Sequence, residues 1–109
     1  MFKASLVPQA TVYIVEDDFG SLGRVYRETG VGKTDRQTAL DNLYRGEFND
    51  PVRVIAVNTS EGWARDVSHE FATELQRRGD LEGKELTGAL AEFVEFYTRR
   101  ERQLSLRLA

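Results

Sequence analysis

Residues 51–78 read PVRVIAVNTSEGWARDVSHEFATELQRR, and the way this stretch divides decides the fold. Pro51 to Val57 is rich in β-branched residues, the composition of a strand, and a proline suits a strand's first position, where its missing N–H matters least. Asn58-Thr59-Ser60-Glu61 then offers a side-chain acceptor answered by a glutamate three residues on, the arrangement that caps a helix. After it Trp63, Val67, Phe71 and Leu75 recur every four residues, flanked by Ala64 and Ala72, which is one apolar stripe of a helix. Arg65, Asp66, His69, Glu70, Thr73, Gln76 and Arg77 take the other side. The stretch thus predicts strand, turn and helix, with Trp63 in the core at the head of the stripe.

Upstream, Thr11 to Val15 alternates as a strand, with Val12 and Ile14 on one face and Thr11, Tyr13 and Val15 on the other. It runs into Glu16-Asp17-Asp18, read as a solvated turn, with divalent-cation binding the rarer use of three such carboxylates. Gly20 and Gly23 interrupt the chain before Arg24 to Thr29 alternates again, which favours a hairpin. The competing reading is a helix from Ser21 to Glu28 carrying Leu22, Val25 and Tyr26, in which Gly23 costs about 1 kcal/mol relative to alanine. Gly30-Val31-Gly32-Lys33 is a turn, and Thr34 with Gln37 caps a helix from about Asp35 to Arg45 that buries Ala39, Leu40, Leu43 and Tyr44 and stops at Gly46.

Downstream, Gly79 to Gly83 punctuates. A last helix, about Lys84 to Gln103, buries Leu86, Ala89, Leu90, Phe93, Val94 and Tyr97, leaving Phe96 off the stripe. In the tail, 104–109, Leu104, Leu106 and Leu108 alternate with other residues, as a helix end or as a short strand. Residues 1–10 read as a flexible segment. The order β-β-α-β-α-α predicts a single α+β domain over 1–109, a two-layer sandwich with a three-stranded mixed sheet and helices on one face. If the second strand, first helix and third strand form a βαβ unit, the strand ends at Thr29 and Asn58 share an edge, where open sheets bind ligands.

The composition narrows the function classes. The 109 residues contain no cysteine, which excludes a disulfide scaffold, a thiol nucleophile and cysteine-ligated metal, and suits a reducing, cytoplasmic setting. No apolar run approaches the roughly 20 residues of a membrane helix, and the N-terminus lacks the apolar core of about 7 to 15 residues of a signal peptide. With 15 basic against 18 acidic residues the chain has a formal charge of −3. That argues against nucleic acid, whose nearest candidate contact is the arginine set 99, 100, 102 and 107.

Individual motifs are incomplete. Gly30-Val31-Gly32-Lys33-Thr34 looks like the tail of a phosphate-binding loop, but Arg27 stands where that loop needs its first glycine. A weaker expectation is a small-anion or phosphoryl-ligand site at paired helix N-termini, using Lys33, Thr34, Asn58, Thr59 and Ser60. His69-Glu70 opens like a helical zinc motif, yet Thr73 occupies the second histidine's place, so a surface histidine is expected.

Val12 to Asp18 resembles the first strand and acidic pair of response-regulator receiver domains, which implies magnesium coordination by the acidic residues. The position where that family needs its phosphate-accepting aspartate holds Asn58. DDFGSLGRVYRET followed by NDPVRVIAVNTSEGWARDVS is similar to short uncharacterised alphaproteobacterial proteins, a resemblance over most of the chain that implies a stand-alone domain and no particular activity.

No complete catalytic or metal-ligating constellation is present, so neither catalytic residues nor a cofactor is expected. The leading expectation is a cytosolic protein-binding or adaptor domain that engages a protein partner or a second copy of itself, through Phe96, Leu104, Leu106 and Leu108.

Overall fold

A computed structural model describes the backbone of residues 11–28 and 36–108 and the side chains of 11–27 and 36–99. Strand β1 (Val12–Asp18) is followed by a single 3-10 turn (Gly20–Leu22) and strand β2 (Arg24–Glu28). Helix α1 (Arg36–Tyr44), strands β3 (Pro51–Asn58) and β4 (Trp63–Asp66), and helices α2 (Ser68–Glu82) and α3 (Gly88–Leu108) complete the order.

The α+β class and the β1–β2 hairpin hold, with Asp17 opposite Val25 and Asp18 opposite Arg24. The expected three-stranded mixed sheet does not. The sheet has four strands in the order β2-β1-β3-β4, and each neighbouring pair is antiparallel. The expected βαβ pair is corrected accordingly: β2 and β3 point the same way, but β1 lies between them and bonds to both. The fourth strand comes from the stretch expected to open a helix. Gly62, at φ 75°, reverses the chain, and Trp63 to Asp66 returns along β3, with Asn58 opposite Trp63 and Ile55 opposite Asp66. The helix starts only at Ser68, where the Asp66 carboxylate accepts the Ser68 N–H at 2.8 Å.

The core lies between one face of the sheet and the helices. Val15, Val54 and Ala56 meet Ala39, Leu40 and Leu43 of α1, Phe71, Ala72 and Leu75 of α2, and Phe93 and Val94 of α3 in a single cluster, with Tyr13 packed against it. The apolar stripe therefore begins at Val67, which is buried, while Trp63 is 37% exposed. Ser68 ties the layers together: its hydroxyl, fully buried, accepts the Val54 N–H at 2.8 Å. The last helix begins four residues later than expected, at Gly88, and continues through Leu108. The tail positions 104–108 are thus helical, with Leu104 and Leu108 one turn apart along the axis.

Candidate functional site

Between Glu16 and Asp17 the β1–β3 register skips a residue: Glu16 faces Arg53 and Asp17 faces Pro51, leaving Val52 outside the ladder. A skip of this kind bends the strand and frees a backbone group. The freed group is the Val52 carbonyl, which accepts a hydrogen bond from the Tyr97 hydroxyl of α3. That bond fixes the aromatic face of α3 against the start of β3. The rings of Phe93 and Tyr97 lie 5.0 Å apart, and Phe96 meets Tyr97 edge-on at 4.8 Å.

Beside these rings is a cavity of about 330 Å³ lined by Asp50, Pro51, Val52, Arg53, Asp66, Glu92, Phe93, Phe96 and Tyr97. Phe93 is buried, whereas Phe96 is 56% exposed at the same hollow. Asp50, Asp66 and Glu92, all exposed, come from the loop before β3, the end of β4 and α3. A larger hollow of about 630 Å³ lies between the end of α2 and α3, lined by Gln76, Asp80, Lys84, Glu85 and Glu95 among others. Its charged groups are of both signs, and among the described residues no aromatic side chain lines it.

A second group of carboxylates contacts two residues of the smaller hollow, Glu16 the Arg53 guanidinium and Asp17 the Asp50 N–H. Glu16, Asp17 and Asp18, expected in a solvated turn, belong to β1, and the first two are buried. Alternation sends Glu16 and Asp17 to opposite faces. Glu16 lies between two guanidinium groups, 3.0 Å from Arg24 Nη1 and 2.8 Å from Arg53 Nε, the latter a charge contact without hydrogen-bond alignment. Its hydrogen bond and charge hold the Arg24 guanidinium above its ordinary pKa. Asp17 accepts from Arg27 Nη1 at 2.8 Å, from the Asn49 N–H at 2.9 Å and from the Asp50 N–H at 2.6 Å. The Arg27 guanidinium in turn lies 4.9 Å from the centre of the Phe48 ring. Among the described residues no group of three or more His, Cys, Asp or Glu side chains is placed to hold a metal ion. The acidic run is committed to arginines and backbone N–H groups.

The expected anion site is not assembled as a pair of helix starts. Lys33 and Thr34 lie outside the described residues. The Asn58 side chain does accept the Glu61 N–H, at 2.9 Å, and the Asn58 carbonyl accepts the Gly62 N–H at 2.8 Å, but these bonds close the β3–β4 turn and no helix opens there. Thr59 and Ser60 are exposed in that turn. Trp63 follows it, with its indole N–H donating to Glu61 at 2.8 Å. His69 is half-buried on α2, not at the surface as its polar neighbours suggested.

Of the expected interaction residues, Phe96 is placed in the open. The side chains of Leu104, Leu106 and Leu108 lie outside the described residues. Sequence reasoning singled out Phe96 because it falls off the α3 stripe. It missed Asp50, Asp66 and Glu92, which are far apart in the chain and converge only through the unforeseen β4 and the register skip. No family model, curated protein or solved structure matches the chain. Among the described residues no helix is long and apolar enough to cross a membrane.

Proposed function

We propose that this chain is a non-enzymatic protein-binding or adaptor domain of the bacterial cytosol, engaging its partner through the part of α3 that carries Phe96. The observation behind this reading is the exposure of Phe96 at the edge of a hollow whose aromatic wall is already fixed. Aromatic side chains are the commonest anchors of protein interfaces, and they bind best where neighbouring groups are rigid and exclude water. Phe93 and Tyr97 supply that rigidity, since one is buried and the other is bonded to the Val52 carbonyl. A partner that covers Phe96 would bury its ring without reorganising the fold. Self-association through the same surface is the homodimeric form of this proposal, and the tail leucines 104, 106 and 108 continue along the same helix. The small-anion alternative loses its second helix start and is not carried further.

The test is selection of a random peptide library displayed on phage against the immobilised full chain and, in parallel, against Phe96→Ser, with light scattering to record the mass of each. Peptide families retained by the wild type and lost from the folded variant, or a dimer that Phe96→Ser dissociates, would support the reading. A strict monomer that enriches the same peptides as its variant, or none, would contradict it.

A further inference from the structure

We propose that the hollow beside Phe96 seats a single basic side chain, arginine or lysine, presented by the protein partner. This inference rests on the protein-binding reading and names the chemistry of the contact. The hollow has room for a long side chain: about 330 Å³ is within the range of roughly 300–1,000 Å³ typical of ligand pockets. Its walls combine what an arginine or lysine requires. The long stem of such a residue packs on apolar surface while its head stays polar. Phe93, Phe96, Tyr97 and Pro51 provide the apolar surface, and aromatic ring faces attract a cation through their quadrupole. Asp50, Asp66 and Glu92 provide the opposing charge.

The charge balance of the hollow depends on Glu16. Of the described side chains lining it, three are carboxylates and one, Arg53, is a guanidinium. The Arg53 guanidinium is drawn to the buried Glu16, 2.8 Å from its Nε. Asp17 contributes from the other face of β1 by holding the Asn49 and Asp50 N–H groups, which fixes the loop that carries Asp50 to the rim. Glu16 and Asp17 are therefore positioning residues for a cation they do not touch.

The experiment is a titration of the isotopically labelled full chain with argininamide, and separately with norleucinamide, which lacks the side-chain charge, followed by amide chemical shifts. Argininamide should move amides of residues 50, 52, 53, 66 and 92–97. Norleucinamide should bind about threefold more weakly, a difference within the range of an exposed ion pair. Glu92→Gln, at an exposed helical position, should weaken argininamide by about two- to threefold and leave norleucinamide unchanged. Raising the salt from low to about 1 M, where the screening length falls to about 3 Å, should narrow the gap between the two ligands. Equal binding of both ligands, no response in the hollow, or insensitivity to Glu92→Gln and to salt would overturn the inference. If the peptide selection still succeeds, with no basic residue shared among the selected peptides, only this inference falls. If the selection fails as well and the chain is a strict monomer, the protein-binding reading falls with it.

Discussion

Two sets of carboxylates flank the start of β3, and they do opposite things. Glu16 and Asp17 are buried and each is matched by arginine, whereas Asp50, Asp66 and Glu92 are exposed around an aromatic hollow. The side-chain chemistry is nearly the same in both sets, so the difference comes from placement. A buried carboxylate must have its lone pairs satisfied by the fold. An exposed one keeps water on its free lone pairs, Asp66 included although it also accepts the Ser68 N–H, and can exchange that water for a partner's cation at small cost. The two sets are also linked, because Asp17 anchors the backbone of Asp50 and Glu16 occupies Arg53.

The sharpest way to break this contrast is Asp17→Ala. It removes the acceptor of two backbone N–H groups and of Arg27, and hydrogen bonds to a charged acceptor are worth about 1.5–3 kcal/mol each, so a loss of about 3 kcal/mol in urea unfolding is expected once water reaches the partly exposed arginine. A loss below about 1 kcal/mol, the range of surface ion pairs, would mean that Asp17 is not the staple described.

Glu16→Gln should cost less, about 1 kcal/mol, because its two guanidinium partners are half-exposed and keep their hydration. Its more telling effect is on binding. With Arg53 released toward the rim, argininamide should bind several-fold more weakly although Glu16 does not line the hollow. Unchanged argininamide affinity would separate the two carboxylate sets and remove the positioning role.

Glu92→Gln should leave stability within about 0.5 kcal/mol, the range of ordinary surface substitutions, while lowering argininamide affinity. A large loss of stability would place Glu92 among the structural carboxylates.

The smallest effect is expected at Asp41, a surface carboxylate outside both sets. A hydrogen bond from Gln37, then the Arg78 guanidinium, hold its pKa below the ordinary value. A carboxyl with a depressed folded pKa contributes stability above its unfolded pKa of about 3.9 and loses it as the pH falls through the folded value. Urea midpoints of the wild type and Asp41→Asn should therefore differ slightly at pH 7 and converge as the pH falls below the folded pKa of Asp41. A gap that persists in acid would rule out the charged pair as its source.

Much of the fold was legible where spacing alone determines burial. Ala39, Leu40 and Leu43 of α1, Phe71 and Leu75 of α2, and Phe93 and Val94 of α3 are buried as their helical periodicity predicts. The first hairpin was legible because two glycines separate two alternating runs. Trp63 misled because a residue four before Val67 satisfies helical spacing whether or not the chain is helical there. Gly62 and Asn58 act on the backbone, turning the chain before any helix can start. The burial of Glu16 and Asp17 could not be read locally, since a carboxylate enters the interior only with partners, and these come from Arg24, Arg27, Arg53 and the 49–50 backbone. The hollow was half legible: Phe96 stood off its stripe, but the carboxylates around it converge only once β4 and the β3 register are known.

The most direct measurement is the footprint of argininamide on the amide spectrum of the full chain. The expected result is a single spatially contiguous set of shifts at residues 50, 52, 53, 66 and 92–97, with residues 24–27 and 58–62 unmoved. A footprint centred on Glu16 to Asp18 and Arg27, or no footprint at all, would contradict the division between carboxylates that build the fold and carboxylates that face a partner.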